Sequence, residues 1–100
     1  MRSLWTWGGK YFGYLDGADL WTNGGKHVGK RQGNNIFSSD GRYLGEMMSD
    51  ERLITDISKK SERGSGFSPA INRVGRVGYA GYVGYTMDPG HEDFPSPDEL

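Results

Sequence analysis

The sequence contains no cysteine, which excludes disulfides, thiolate metal sites and cysteine nucleophiles and favours a cytoplasmic location. Only two histidines occur, His27 and His91, so nucleophile–histidine arrangements are scarce and the chain does not read as an enzyme. No apolar run is long enough to span a membrane, and the first residues lack the charged-then-apolar order of a signal peptide. Hydrophobic residues make up 34% of the chain, too little for a thick core in a small domain of one hundred residues.

What replaces apolar bulk is glycine, at 17 positions, and aromatic rings, at 13% of residues. Glycine at that density argues against helices, and the rings supply a thin core with a few large side chains. Such a chain gains from burying surface against another copy, so a homo-oligomer, a dimer, is expected.

Aligned on itself, the chain repeats every 16 residues without gaps. Leu4-Trp5-Thr6 corresponds to Leu20-Trp21-Thr22 and Ile36-Phe37-Ser38, and Gly9-Lys10 corresponds to Gly25-Lys26 and Gly41-Arg42. Phe12-Gly13, Val28-Gly29 and Leu44-Gly45 complete the correspondence. Each unit is a short β-favouring run, a glycine-bearing turn and a second short run, which is the pattern of a β-hairpin. A glycine within each second run predicts a bulge or a close backbone approach. Isolated hairpins are unstable in water, so the units must pack on one another.

The units cover residues 4–19, 20–35 and 36–51, with a degenerate fourth over 53–77. In that fourth unit Leu53-Ile54-Thr55 matches Leu4-Trp5-Thr6, and Lys59 falls where Lys10 sits. Arg73-Val74-Gly75-Arg76 resembles His27-Val28-Gly29-Lys30, which places a return strand near residues 72–77 after an inserted loop at 58–71. The other reading is three hairpins followed by an irregular tail.

The tandem units, with the ending "VGRVGYAGYVGY…EDFP", resemble the small bacterial four-fold β-flower family. The resemblance spans Leu4 to Pro95. It implies an all-β fold in which hairpins surround a pseudo-four-fold axis, with an irregular fourth unit and an extended C-terminal segment. It carries no activity to particular residues.

Charge is uneven. Residues 1–87, read as one domain, hold 12 basic and 8 acidic side chains, whereas residues 88–100 hold 5 acidic and no basic ones and read as a solvated tail. The basic excess fits a small anionic partner, and the acidic tail argues against long nucleic acid.

Two stretches carry possible chemistry. "SKKSERGSGFSP", residues 58–69, combines Lys59, Lys60 and Arg63 with the Gly64-Ser65-Gly66 backbone, whose N–H groups suit an anion-binding concavity. A flexible, polar loop has the same composition. "RVGRVGYAGYVGY", residues 73–85, places glycine at every third position, a period belonging to neither strand nor helix but to a polyproline-like chain. Tyr79, Tyr82 and Tyr85 then suit stacking on a planar ligand, with Arg73 and Arg76 for phosphate, or equally packing over the hairpins. The expected ligand-binding set is Lys60, Arg63, Ser65, Gly66, Arg73, Arg76, Tyr79 and Tyr82.

Lys10, Lys26 and Arg42 form a ring of turn-borne cations under the repeat symmetry, or simply solvated turn residues. Trp5, Trp21 and Phe37 share one repeat position and read as core, whereas Trp7 has no counterpart and is expected at a surface. His27 occupies a tyrosine position, and "HED" at 91–93 has no recognised ligand spacing. No cofactor or metal is called for. The reading that follows is a non-catalytic protein that captures a small anionic ligand, a nucleotide above all, as an anti-defence sponge for a nucleotide signal would. A structural or interaction module that oligomerises through the Gly-Tyr segment is the alternative, and a phosphoester hydrolase ranks third.

Overall fold

The computed structural model describes residues 1–49 and 51–100. The chain is all-β, with eight strands and no α-helix among the described residues. Three hairpins follow one another: β1 (Arg2–Thr6) with β2 (Tyr11–Asp16), β3 (Asp19–Thr22) with β4 (His27–Gln32), and β5 (Asn35–Phe37) with β6 (Tyr43–Met47). β7 (Arg52–Asp56) pairs with β6 and, in parallel, with β1 through Trp5↔Arg52 and Thr6↔Leu53. That contact closes seven consecutive strands into a barrel-like sheet. β8 (His91–Asp93) adds an eighth strand against β7. No helix among the described residues is long and apolar enough to cross a membrane.

The three turns are copies in hydrogen bonding as well as in sequence. Thr6, Thr22 and Ser38 each donate their N–H to the carbonyl four residues on, at 2.8, 2.9 and 2.8 Å. Their hydroxyls accept the N–H of Lys10, Lys26 and Arg42 at 3.2, 3.1 and 3.2 Å. Gly9, Gly25 and Gly41 hold φ of 95°, 95° and 85°, a region that a side chain makes costly. The repeated Gly-Lys/Arg is therefore a requirement of turn geometry.

A bulge in each hairpin builds the core. The register of β1 on β2 passes from Leu4↔Gly13 to Trp5↔Tyr11, leaving Phe12 as the extra residue. Val28 and Leu44 occupy the same place in the next two hairpins. The extra residue turns inward, as bulged residues do, and joins Leu4, Leu20, Ile36 and Leu53 in one apolar cluster. Burying each such side chain contributes about 1.5–3 kcal/mol, which is how a chain with little apolar material still holds a core.

The fourth unit corrects two expectations. Its return strand is β8 rather than residues 72–77, and Val74, expected to resemble the buried Val28, is 89% exposed. Glycine at every third residue suits neither the alternation nor the ladder of a strand. The pairing Ile54↔Asp93 matches Trp5↔Tyr11, so Phe94 takes the place of Phe12 and packs edge-on against it at 5.3 Å. The second correction follows directly. Residues 88–100 are not a solvated tail, because Phe94 belongs to the core cluster and Leu100 packs against it.

Between β7 and β8, after a short 3-10 turn at Ile57–Lys59, residues 64–85 run as a strap over the three hairpin turns in reverse order. Gly64 and Phe67 donate backbone N–H bonds to Gly41 and Ser39, Arg73 and Arg76 to Gly25 and Asn23, and Tyr82 and Tyr85 to Gly9 and Trp7. The donors recur every nine residues while the acceptors recur every sixteen. The strap is thus a second repeat that reads the first. Gly66 and Gly84 lie where an added Cβ would stand 2.6 Å from the Ser39 and Gly8 carbonyl oxygens, so only glycine lets the two backbones meet.

Candidate anion site at the hairpin turns

The strap side chains complete an aromatic layer outside the barrel. Tyr82 stacks on Trp5 with ring centroids 4.0 Å apart, and the Arg73 guanidinium lies 3.9 Å over Trp21. Gly64 occupies the corresponding place against Phe37, where a Cβ would come within 2.8 Å of the ring. Trp5, Trp21 and Phe37 are buried by this covering rather than by the central cluster. Trp7, expected at a surface, is half-buried, with Nε1 donating to the Thr86 carbonyl at 3.0 Å and its ring against Tyr85.

The expected ligand-binding residues are spread along this strap. Arg73 pairs with Asp16 at 3.0 Å while it covers Trp21. Arg76 lies over Tyr14 at 4.5 Å, and Tyr79 meets Tyr11 edge-on at 5.3 Å. The Arg63 guanidinium donates to the Lys60 and Glu62 carbonyls at 3.3 and 3.0 Å, and Ser65 and Gly66 sit over the third turn, where the Phe67 N–H reaches Ser39. Lys60 instead faces a cavity. The structure therefore spreads seven of these eight residues along the three turns, places Lys60 at a cavity, and does not bring the set to one place.

What converges is the set of turn-borne cations. A cavity of about 750 Å³ has Lys10, Arg42 and Lys60 in its wall together with Tyr11, Tyr43 and Phe94. A neighbouring cavity of about 320 Å³ has Lys26 and Arg42 in its wall. Both volumes are in the range of small-molecule sites. The turns put the cations there: each follows the positive-φ glycine, and its own N–H is held by the preceding Thr or Ser hydroxyl. Lys59, which aligns with Lys10, turns away to pair with Glu46 at 3.2 Å, and Lys60 takes its place.

The acidic residues of the C-terminal segment share this ground. Glu92 forms an ion pair with Lys60, Lys26 donates to the Leu100 carbonyl oxygen, and Gly8 donates to Asp93 Oδ2 at 3.2 Å. Glu99 and Leu100 line both cavities.

Three polar side chains nearby have defined hydrogen-bond partners. Burial pushes the Tyr43 phenol well above its ordinary value, and its hydroxyl donates to Glu46 at 2.9 Å while accepting the Asp56 N–H at 3.1 Å. The Ser38 hydroxyl and the Arg42 N–H keep the Asp40 carboxylate below its usual range. His27 stacks on Trp21 at 4.9 Å, accepts the Ala70 N–H on Nδ1 and faces Asp19 through Nε2 at 3.1 Å. That arrangement makes Nε2 the protonated nitrogen and gives His27 the ring-stacking place that its tyrosine counterparts imply.

Comparison with protein-family models, curated proteins and solved structures finds no match to this chain.

Proposed function

We propose that the protein is a non-catalytic binder that captures a small anionic ligand of the nucleotide class at the turn end of its hairpin barrel. The observation that carries this reading is the convergence of Lys10, Lys26, Arg42 and Lys60, three of them at one repeat position, on two adjoining cavities, the larger of which has aromatic residues in its wall. Cations hold phosphate through charge-assisted hydrogen bonds, and the half-buried Tyr11 in the wall of the larger cavity is the ring available to a base. Tyr43 and His27 are each engaged on both sides, which suits a binding role better than proton transfer. The hairpin barrel is in keeping with membership of the β-flower family that the repeats resemble, and the absence of cysteine with a cytoplasmic location. Sequestration of a nucleotide signal is the role such a binder serves.

Native mass spectrometry of the purified protein tests the reading. A co-purified or added nucleotide retained at one per site is the expected result. Failure to retain any member of a broad nucleotide panel, cyclic and linear, counts against it.

One observation favours a second reading, association of two copies through the strap. Ile71, Val74, Val77 and Val83 are 92, 89, 96 and 85% exposed and recur at multiples of three residues, so the strap presents an apolar row to solvent. Sedimentation at micromolar concentration distinguishes the cases: a dimer that Val74→Ser and Val77→Ser dissociate supports association, and a stable parent monomer removes it.

A further inference from the structure

We propose that residues 96–100 are a built-in competitor for the anion site, seated among the turn cations and displaced when a ligand with two or more phosphate groups binds. The inference rests on the reading of the turn end as an anion site and names its regulation and ligand class. Glu99 and Leu100, with Arg42, form the wall shared by the two cavities. With these residues in place, Lys26 is separated from Lys10 and Lys60, and its ammonium is already engaged by the Leu100 carbonyl oxygen. Lys60 is likewise engaged by Glu92. Two of the four cations, Lys26 and Lys60, thus already hold an oxygen supplied by residues 92–100.

The segment has the build of a movable piece on a fixed anchor. Phe94 is buried in the core against Phe12. Beyond Pro95, residues 97–99 form a short 3-10 turn stabilised internally, with the Ser96 hydroxyl donating to Glu99 Oε1 at 3.2 Å and the Glu99 N–H to the Ser96 carbonyl at 3.0 Å. Among the described residues its hydrogen bond to the barrel is the one from Lys26, and its apolar contact is the packing of Leu100, so it can leave as a unit while Phe94 stays in the core. Lifting it joins the two cavities and opens Lys10, Lys26 and Arg42 to one ligand, with Lys60, paired to Glu92 of the fixed β8, at the edge of the same space. Cations borne on separate turns cannot all be met by one phosphate group, which points to a nucleoside polyphosphate or an oligonucleotide of a few residues.

The test uses the full chain, with inorganic tripolyphosphate as the probe and amide relaxation as the readout. On binding, the amides of Ser96, Asp98, Glu99 and Leu100 gain fast motion while that of Phe94 does not. A Glu92→Gln/Glu99→Gln variant binds about three- to tenfold more tightly, since each surface ion pair or carboxylate that competes is worth little by itself. The charge-matched Glu51→Gln/Asp88→Asn variant does not. Binding that leaves residues 96–100 as ordered as in the free protein overturns the competitor, as does equal tightening in the two variants; the anion site stands in either case. If neither the parent nor the Glu92→Gln/Glu99→Gln variant binds tripolyphosphate or any nucleotide, the anion site itself fails and the competitor with it.

Discussion

Tyr82 lies on Trp5 with ring planes 13° apart, and nine residues earlier Arg73 covers Trp21, the repeat counterpart of Trp5. A stacked tyrosine and a stacked guanidinium do the same work here: each shields an outward-facing ring that the central core does not reach. Tyr82→Ala should therefore cost about 1–3 kcal/mol of stability and shift tryptophan emission to the red. Val83→Ala, one residue along and exposed, should change stability by less than about 0.5 kcal/mol. Urea unfolding of the two variants compares them, and equal effects would show that the strap does not cover Trp5 in solution.

The strap also meets the turns backbone to backbone. At Gly25 a Cβ would overlap the Arg73 carbonyl, whereas nothing lies within 4 Å of the place a Cβ would take at Gly17. Both glycines have positive φ, 95° and 62°. Alanine at either position pays the left-handed penalty of about 1–2 kcal/mol, but only Gly25→Ala must also push the strap away. Its destabilisation should be at least about twice that of Gly17→Ala. Parity in thermal or chemical unfolding would contradict the close approach.

Phe94 stands where Phe12 stands in the first unit and is 4% exposed. Phe94→Ala should cost about 3–5 kcal/mol, as Phe12→Ala should, while Asp98→Asn on the exposed side of the same segment should be nearly neutral. Circular dichroism melts of the three variants measure this. A mild Phe94→Ala would mean that the C-terminal segment is not part of the fold.

Much of the architecture is legible in the sequence because the 16-residue period reports turn chemistry directly: a glycine at positive φ and a following cation recur because each hairpin needs them. The bulge was legible too, in the glycines at 13, 29 and 45. The fourth unit was harder to place, since Arg73-Val74-Gly75-Arg76 mimics a strand by composition while its threefold glycine spacing belongs to the strap. The better guide was "DFP" at 93–95, which aligns with "YFG" at 11–13, but its acidic and proline-rich surroundings read as solvent-exposed. The nine-residue recurrence of Gly66, Gly75 and Gly84 was hidden within the period of three. The ring of turn cations was visible from the repeat, but which side chains share a cavity depends on closure of the barrel and on where residues 91–100 return.

Tyr43 gives a pH dependence. Its phenol is buried and hydrogen-bonded to Glu46, which raises its pKa above the ordinary 10.0. In the unfolded chain Tyr43 loses its proton near 10, while the folded protein keeps it. The unfolded state then binds fewer protons than the native one, so stability falls as pH rises above that value. Tyr43→Phe should show a shallower loss of stability between about pH 10 and 11.5. An unchanged slope would mean that Tyr43 ionises as freely in the fold as outside it.

The central claim is that the cations on the hairpin turns, and not those on the strap, hold an anionic ligand. Calorimetric titration of a nucleotide panel into the parent, into Lys26→Ala/Arg42→Ala and into Arg73→Ala/Arg76→Ala tests it most directly. The prediction is that the turn variant loses affinity by about tenfold or more for each charge-assisted bond removed, and that the strap variant binds within about threefold of the parent. The reverse order, with binding lost on changing the strap arginines and kept on changing Lys26 and Arg42, would contradict the account.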